Sequence, residues 1–86
     1  MAIRSFRSRE FHRYLQALPE DVQALAHKNF LLWRSDPGHP SLNFKKVRGE
    51  NWSVRVGIHY RAIGHFVEDG FLWEWIGTHG EYDRLA

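Results

Sequence analysis

There is no cysteine among the 86 residues, so neither a disulfide framework nor a thiolate metal centre is open to this chain. That absence suits a reducing cytoplasm. No apolar run approaches the roughly 20 residues needed to cross a bilayer, and the opening MAIRSFRSREF lacks the apolar stretch of a secretory signal. Internal repeats and low-complexity segments are missing too. The six histidines include no H-x-x-x-H pair, which argues against a zinc site. Neither a metal nor a cofactor is expected.

What remains is a chain sized for one domain, residues 1–86. With 43% hydrophobic and 15% aromatic residues it can build a core, largely from Trp and Phe. Trp33, Trp52, Trp73 and Trp75 read most simply as core or groove residues. Net charge is only +2, but its distribution is uneven. From Lys45 to His65 five cations (Lys45, Lys46, Arg48, Arg55, Arg61) face one acid, Glu50. From Glu68 onward five acids face Arg84 alone. A cationic middle beside an acidic end fits a nucleic-acid-binding patch with a non-binding flank, and it also fits an ordinary solvated surface.

Along the chain, residues 2–7 offer Ile3 and Phe6 to a possible edge strand. Ser8 is a helix N-cap, followed by Phe11, Tyr14, Leu15 and Leu18 at the spacing of one helical face. After Pro19, with Glu20 and Asp21 at its start, a second and longer helix carries Val22, Leu25, Ala26, Phe30 and Trp33 on one stripe. Asp36-Pro37-Gly38 stops it. His12, His27 and His39 then fall on the surface of helix or loop.

Past Pro40 the period turns from helical to alternating. Residues 42–47 read as a strand, Gly49-Glu50-Asn51 as a turn, and Trp52 to Val56 as the next strand. Gly57-Ile58-His59 connects to a strand from Tyr60 to Val67. Glu68-Asp69-Gly70 is a hairpin turn into a last strand, Phe71 to Ile76. Gly77-Thr78 releases the chain into a polar tail, His79 to Arg84. The expected fold is α+β: an N-terminal helical hairpin packed on one face of a small, mainly antiparallel sheet of four to five strands. Arg55 and Arg61 fall on the strand phases opposite the aliphatic ones, so both point to the face the helices leave uncovered. Two guanidiniums, the His79 imidazole and the Tyr82 phenol can then meet on one surface, a set that suits a phosphate.

The order of elements, the FKKVRG segment, the WSVRVG…HYRAIG pair and the closing WIGTHGEYDRL resemble the RelE/ParE superfamily of toxins from bacterial type II toxin–antitoxin systems. The resemblance runs from the helical hairpin to Leu85 and implies the same fold. It also implies a choice of function. RelE-like members cut mRNA on the ribosome without metal, leaving 2′,3′-cyclic phosphate and 5′-hydroxyl ends. ParE-like members poison DNA gyrase. By resemblance His79 is the general acid or base, Arg61 and Arg55 grip the scissile phosphate, and Tyr82 stacks on a base or bonds the phosphate. If it does neither, Tyr82 pins the tail to the sheet. Lys45, Lys46 and Arg48 would bind the RNA backbone or the ribosome; the two lysines also suit a strand edge guarded against aggregation.

The pattern departs from the nuclease branch in two respects. Arg55 stands alone where RelE carries a lysine pair, and no carboxylate occupies the position some relatives use as base. Glu50 lies in a turn; His59 and His65 are the candidates to replace it. The implied partner is a cognate antitoxin, through an acidic amphipathic segment that covers Arg55, Arg61 or His79 or displaces the tail bearing Tyr82.

Overall fold

The computed structural model describes residues 3–85. Ser8 caps the first helix, its hydroxyl accepting from the Phe11 amide at 3.0 Å. Helix α1 (Arg9–Gln16) buries Phe11 and leaves Tyr14 exposed against the rim of Trp75. Helix α2 (Glu20–Ser35) starts at Pro19, with two acids in its first turn where the helix dipole favours them. It ends at Asp36, ahead of Pro37. The hairpin is the one its apolar spacing predicts.

Five strands follow the order β1-β5-β4-β3-β2, where β1 is Ser5–Arg7, β2 Lys45–Lys46, β3 Asn51–Val56, β4 Tyr60–Val67 and β5 Gly70–Thr78. All pairs are antiparallel except β1 with β5. The edge strand expected over 2–7 is thus present from Ser5, and Ala2 lies outside the described residues.

Two expectations are corrected. The strand expected over 42–47 shrinks to two residues. Pro40–Leu42 form a 3-10 turn that drops Leu42 into the core, and Asn43 takes a left-handed conformation that breaks the extended run. The tail is also not a tail: His79–Leu85 forms a third helix, α3.

The core lies between the hairpin and one sheet face. Trp33, fully buried, has Phe71 and Trp73 rings each 5.0 Å away and Phe44 at 5.7 Å. Val54, Val56, Ala62 and Ile76 complete that face, as their strand phases require. Trp52 and Trp75 are only partly buried. Between Ile63 and Gly64 the β4–β5 register slips, leaving Glu74 without a partner residue. The bulge does not disturb the β3–β4 ladder, so residues 53, 55, 61 and 63 share the far face.

Candidate functional site

The β3–β4 register sets Arg55 directly across from Arg61, and β4–β5 sets Arg61 across from Gly77. Both guanidiniums therefore rise from adjacent strands on the face away from the hairpin. Two residues past Gly77 the chain reaches His79, whose amide donates to the His59 carbonyl at 2.8 Å. That bond ties the start of α3 to the β3–β4 turn. His79 stands over Arg61 as a result, and Arg61 Nε donates to His79 Nδ1 at 3.4 Å.

Helix α3 exists because of a capping box. Thr78 Oγ1 accepts from the Glu81 amide at 3.1 Å, while Glu81 Oε1 accepts from the Thr78 amide and hydroxyl, both at 3.0 Å. Gly77 makes room for it, since a Cβ there would press on the Trp75 ring and on Glu81 Oε1. These bonds, the backbone one foremost, hold the Glu81 carboxyl below the usual glutamate range; slight burial opposes them and Arg84 adds to them weakly.

One turn on, Tyr82 drops onto the sheet. Its ring lies 5.5 Å from the Arg61 guanidinium carbon, and its hydroxyl donates to Ser53 Oγ at 3.3 Å. Ser53 is fully buried, and Arg61 is only 8% exposed. The face expected to stay open is therefore closed at this end by the chain's own third helix. Tyr82 itself is 7% exposed, with its ring packed on Arg61, so the phenol is positioned as a pin and not as a free stacking surface. Arg61 Nη1 is buried without a hydrogen-bond partner among the described residues. Arg55, half-buried, makes no ion pair among the described residues.

His79 is held from both sides. Its Nε2 lies 3.4 Å from Asp83 Oδ2, one turn along α3. An Nδ1 that accepts from Arg61 and an Nε2 that donates to Asp83 fix one neutral tautomer. The imidazole then offers a lone pair at one nitrogen and a proton at the other.

The remaining sequence candidates separate. Lys45 pairs with Ser53 in register, so it shares the face of Arg55; Lys46 pairs with Trp52, points to the other face, and sits 3.9 Å from Glu50. Arg48 is exposed in the turn before β3. His65 bonds Glu74 at 2.9 Å on the Arg61 face but four residues along the strand, about 13 Å away. It does not belong to this cluster. His59 contributes its carbonyl, and Glu50 is exposed and engaged with Lys46. Among the described residues no group of three His, Cys, Asp or Glu side chains can hold a metal ion, and no helix is long and apolar enough to cross a membrane.

Sequence reasoning missed Ser53, Asp83 and Glu81. Only the last had a readable sign, the T-x-x-E spacing from Thr78 to Glu81.

No protein-family model and no curated protein sequence matches the chain. Solved structures do. The crystal structure of the toxin–antitoxin complex RelBE2 from Mycobacterium tuberculosis contains a chain with a TM-score of 0.76 at 15% identity, covering 92% of this chain and 100% of that one. A mutant of the Escherichia coli toxin RelE in the free state scores 0.73 at 14% identity, covering 96% and 90%. A chain of the RelB–RelE antitoxin–toxin complex from Methanococcus jannaschii scores 0.72 at 16%, covering 94% and 99%.

The chain has the RelE fold. In that RelE-like frame the helices and the five-stranded, mostly antiparallel sheet are accounted for over nearly the whole chain. Identities this low carry the fold and not the chemistry.

Proposed function

We propose that this chain is the toxin of a type II toxin–antitoxin pair, acting in the cytoplasm by cutting mRNA on the ribosome. The observation that carries the reading is the Arg61–His79 contact beside Arg55, on a face flanked by Lys45. Scission of RNA through its own 2′-hydroxyl needs three things: a group to take that proton, cationic donors for the phosphorane, and a proton for the departing 5′-oxygen. Side chains supply these without a metal. His79 carries one of the two proton transfers. Arg61 and Arg55 neutralise the phosphorane, and the unpartnered Arg61 Nη1 gains an acceptor when a non-bridging oxygen arrives. A phosphate that draws Arg61 away from its long contact with Nδ1 also frees that lone pair for the 2′-hydroxyl proton. Tyr82 holds the guanidinium in place from its other side, and Lys45, Lys46 and Arg48 follow the RNA backbone or the ribosome. The products are a 2′,3′-cyclic phosphate and a 5′-hydroxyl.

The partner in this reading is an antitoxin whose acidic amphipathic segment covers the cationic face. Two of the similar structures are antitoxin–toxin complexes, which supports that choice. The test is to induce the chain alone and map transcript ends and DNA supercoiling together. New 5′-hydroxyl ends that disappear with His79→Ala support cleavage. DNA damage with intact transcripts replaces it with a ParE-like poison of gyrase.

A further inference from the structure

At the edge of the sheet opposite β2, strand β1 and the last turn of α2 build a second cationic surface. The Ile3 amide donates to the Arg34 carbonyl at 3.1 Å, and the Phe71 amide to the Arg4 carbonyl at 3.0 Å. A Cβ on Gly70 would run into that Arg4 carbonyl, so glycine is required where the two backbones meet. The backbone thus holds both arginines firmly. Arg7 and Arg34 lie 5.1 and 5.8 Å from the centroid of Phe30, and Arg4 lies 5.8 Å from that of Phe6. Between Arg4 and Arg34 runs an open groove of about 360 Å³, walled by Ile3, Arg4, Ser5, Phe6, Phe30 and Arg34.

Acidic side chains do not neutralise this edge. Among the described residues the ion pairs are Lys46–Glu50, His65–Glu74 and His79–Asp83, none of which involves these arginines. Asp36, two residues past Arg34, and Asp69, next to the Gly70 that meets the Arg4 carbonyl, pair with neither arginine. Phe6 is 39% exposed, an aromatic face beside the Arg4 guanidinium.

The groove is remote from Arg61. Two strand spacings separate β1 from β4, and Ser5–Arg7 pair with residues 71–73 whereas Arg61 pairs with Gly77. Together these put the two surfaces on the order of 20 Å apart, too far for one phosphate to serve both.

We propose that this edge is a second binding surface for single-stranded RNA, with phosphates on Arg4 and Arg34 and bases stacked on Phe6 and on the outer guanidinium planes. A guanidinium already resting on a ring keeps its fork of donors and a free planar face. Stacking faces interleaved with cations suit unpaired bases on a phosphate backbone. An acidic peptide would use the donors and leave the faces idle.

The proposal concerns binding and is independent of whether Arg61 and His79 cut. The probe is a labelled 2′-O-methyl oligouridylate of about twelve nucleotides, within the length range such small folds hold. It has no 2′-hydroxyl nucleophile and cannot be cleaved by that route. Fluorescence anisotropy of the full chain against salt gives affinity and slope. R4A/R34A should weaken binding about tenfold or more, the scale of one lost charge-assisted hydrogen bond. It should also flatten the log–log salt slope by about 1.4, at 0.7 per phosphate contact. R4K/R34K should keep the slope and lose affinity, because lysine retains the charge without the stacking plane. An unchanged thermal midpoint in both variants ties these effects to the groove. A slope that R4A/R34A leaves unaltered overturns the proposal. So does a variant that still binds RNA but no longer binds polyglutamate or phosphatidylserine vesicles. Failure of the cleavage test with these results intact would remove the nuclease reading and leave this surface standing.

Discussion

Arg61 combines two features that pull against each other: a buried cation, and a guanidinium nitrogen with no acceptor. A charge taken out of water without a full set of partners costs stability, and proteins keep such groups where function requires them. Arg61→Met should therefore leave the thermal midpoint unchanged or raise it, while the proposed cleavage falls at least 10²-fold, the scale of one lost transition-state donor. A melt and a transcript-end map on the same variant check both halves; a clear fall in midpoint with full cleavage would make Arg61 structural. Ser53 is the quieter case. Its hydroxyl, fully buried, accepts from Tyr82. Ser53→Ala strands the phenol and should cost about 1 kcal/mol, a drop of roughly 4–8 °C in the melting midpoint of a domain this size.

Helix α3 has seven residues, too few to persist without tertiary help. Its capping box and Tyr82 supply that help, which explains why helical periodicity could not reveal it. Six polar or glycine residues after Thr78 show no apolar stripe, and Tyr82 alone anchors the turn. The shortness of β2 escaped notice for a related reason. Alternation over 42–47 is genuine, but the left-handed Asn43 is a backbone fact that the pattern of side chains does not encode. By contrast the long helices, the β3–β4–β5 meander and the shared face of Arg55 and Arg61 were legible, because each rests on several residues of one period. The cap itself is testable by pH. The Glu81 carboxyl is lowered in the folded chain, so its contribution is complete above the ordinary glutamate value of about 4.3 and is lost as pH falls through the lowered value. Tyr82 emission should report loosening of α3 on acidification below that point. Glu81→Ala should loosen it already at neutral pH and remove this part of the acid response. An acid profile identical in the two proteins would dissociate Glu81 from the helix.

Taken whole, the molecule is a small two-layer domain centred on one tryptophan, with Arg55 and Arg61 on the sheet face the hairpin does not reach. Domains hold roughly 0.05–0.15 kcal/mol per residue, or about 4–13 kcal/mol at this length, so Trp33→Ala, at about 3–5 kcal/mol, should remove at least about a quarter of the total and clearly lower the denaturant midpoint. The same small size leaves few ways to silence the Arg61 surface. A partner's acidic segment can lie across Arg55 and His79, which are reachable, but Arg61 is already under Tyr82. Covering the face should slow amide exchange in α3, whereas prising the helix away to reach Arg61 should speed it. Hydrogen exchange of the chain alone and in complex with the antitoxin proposed above separates these two modes, with the amides of residues 79–85 as the reporter. Protection is expected if neutralisation works by burying His79 and Arg55 where they stand. Exposure is expected if the segment takes the place of Tyr82 against Ser53. A neutralising complex in which neither α3 nor the β3–β4 turn changes would mean that the partner acts somewhere else on the molecule.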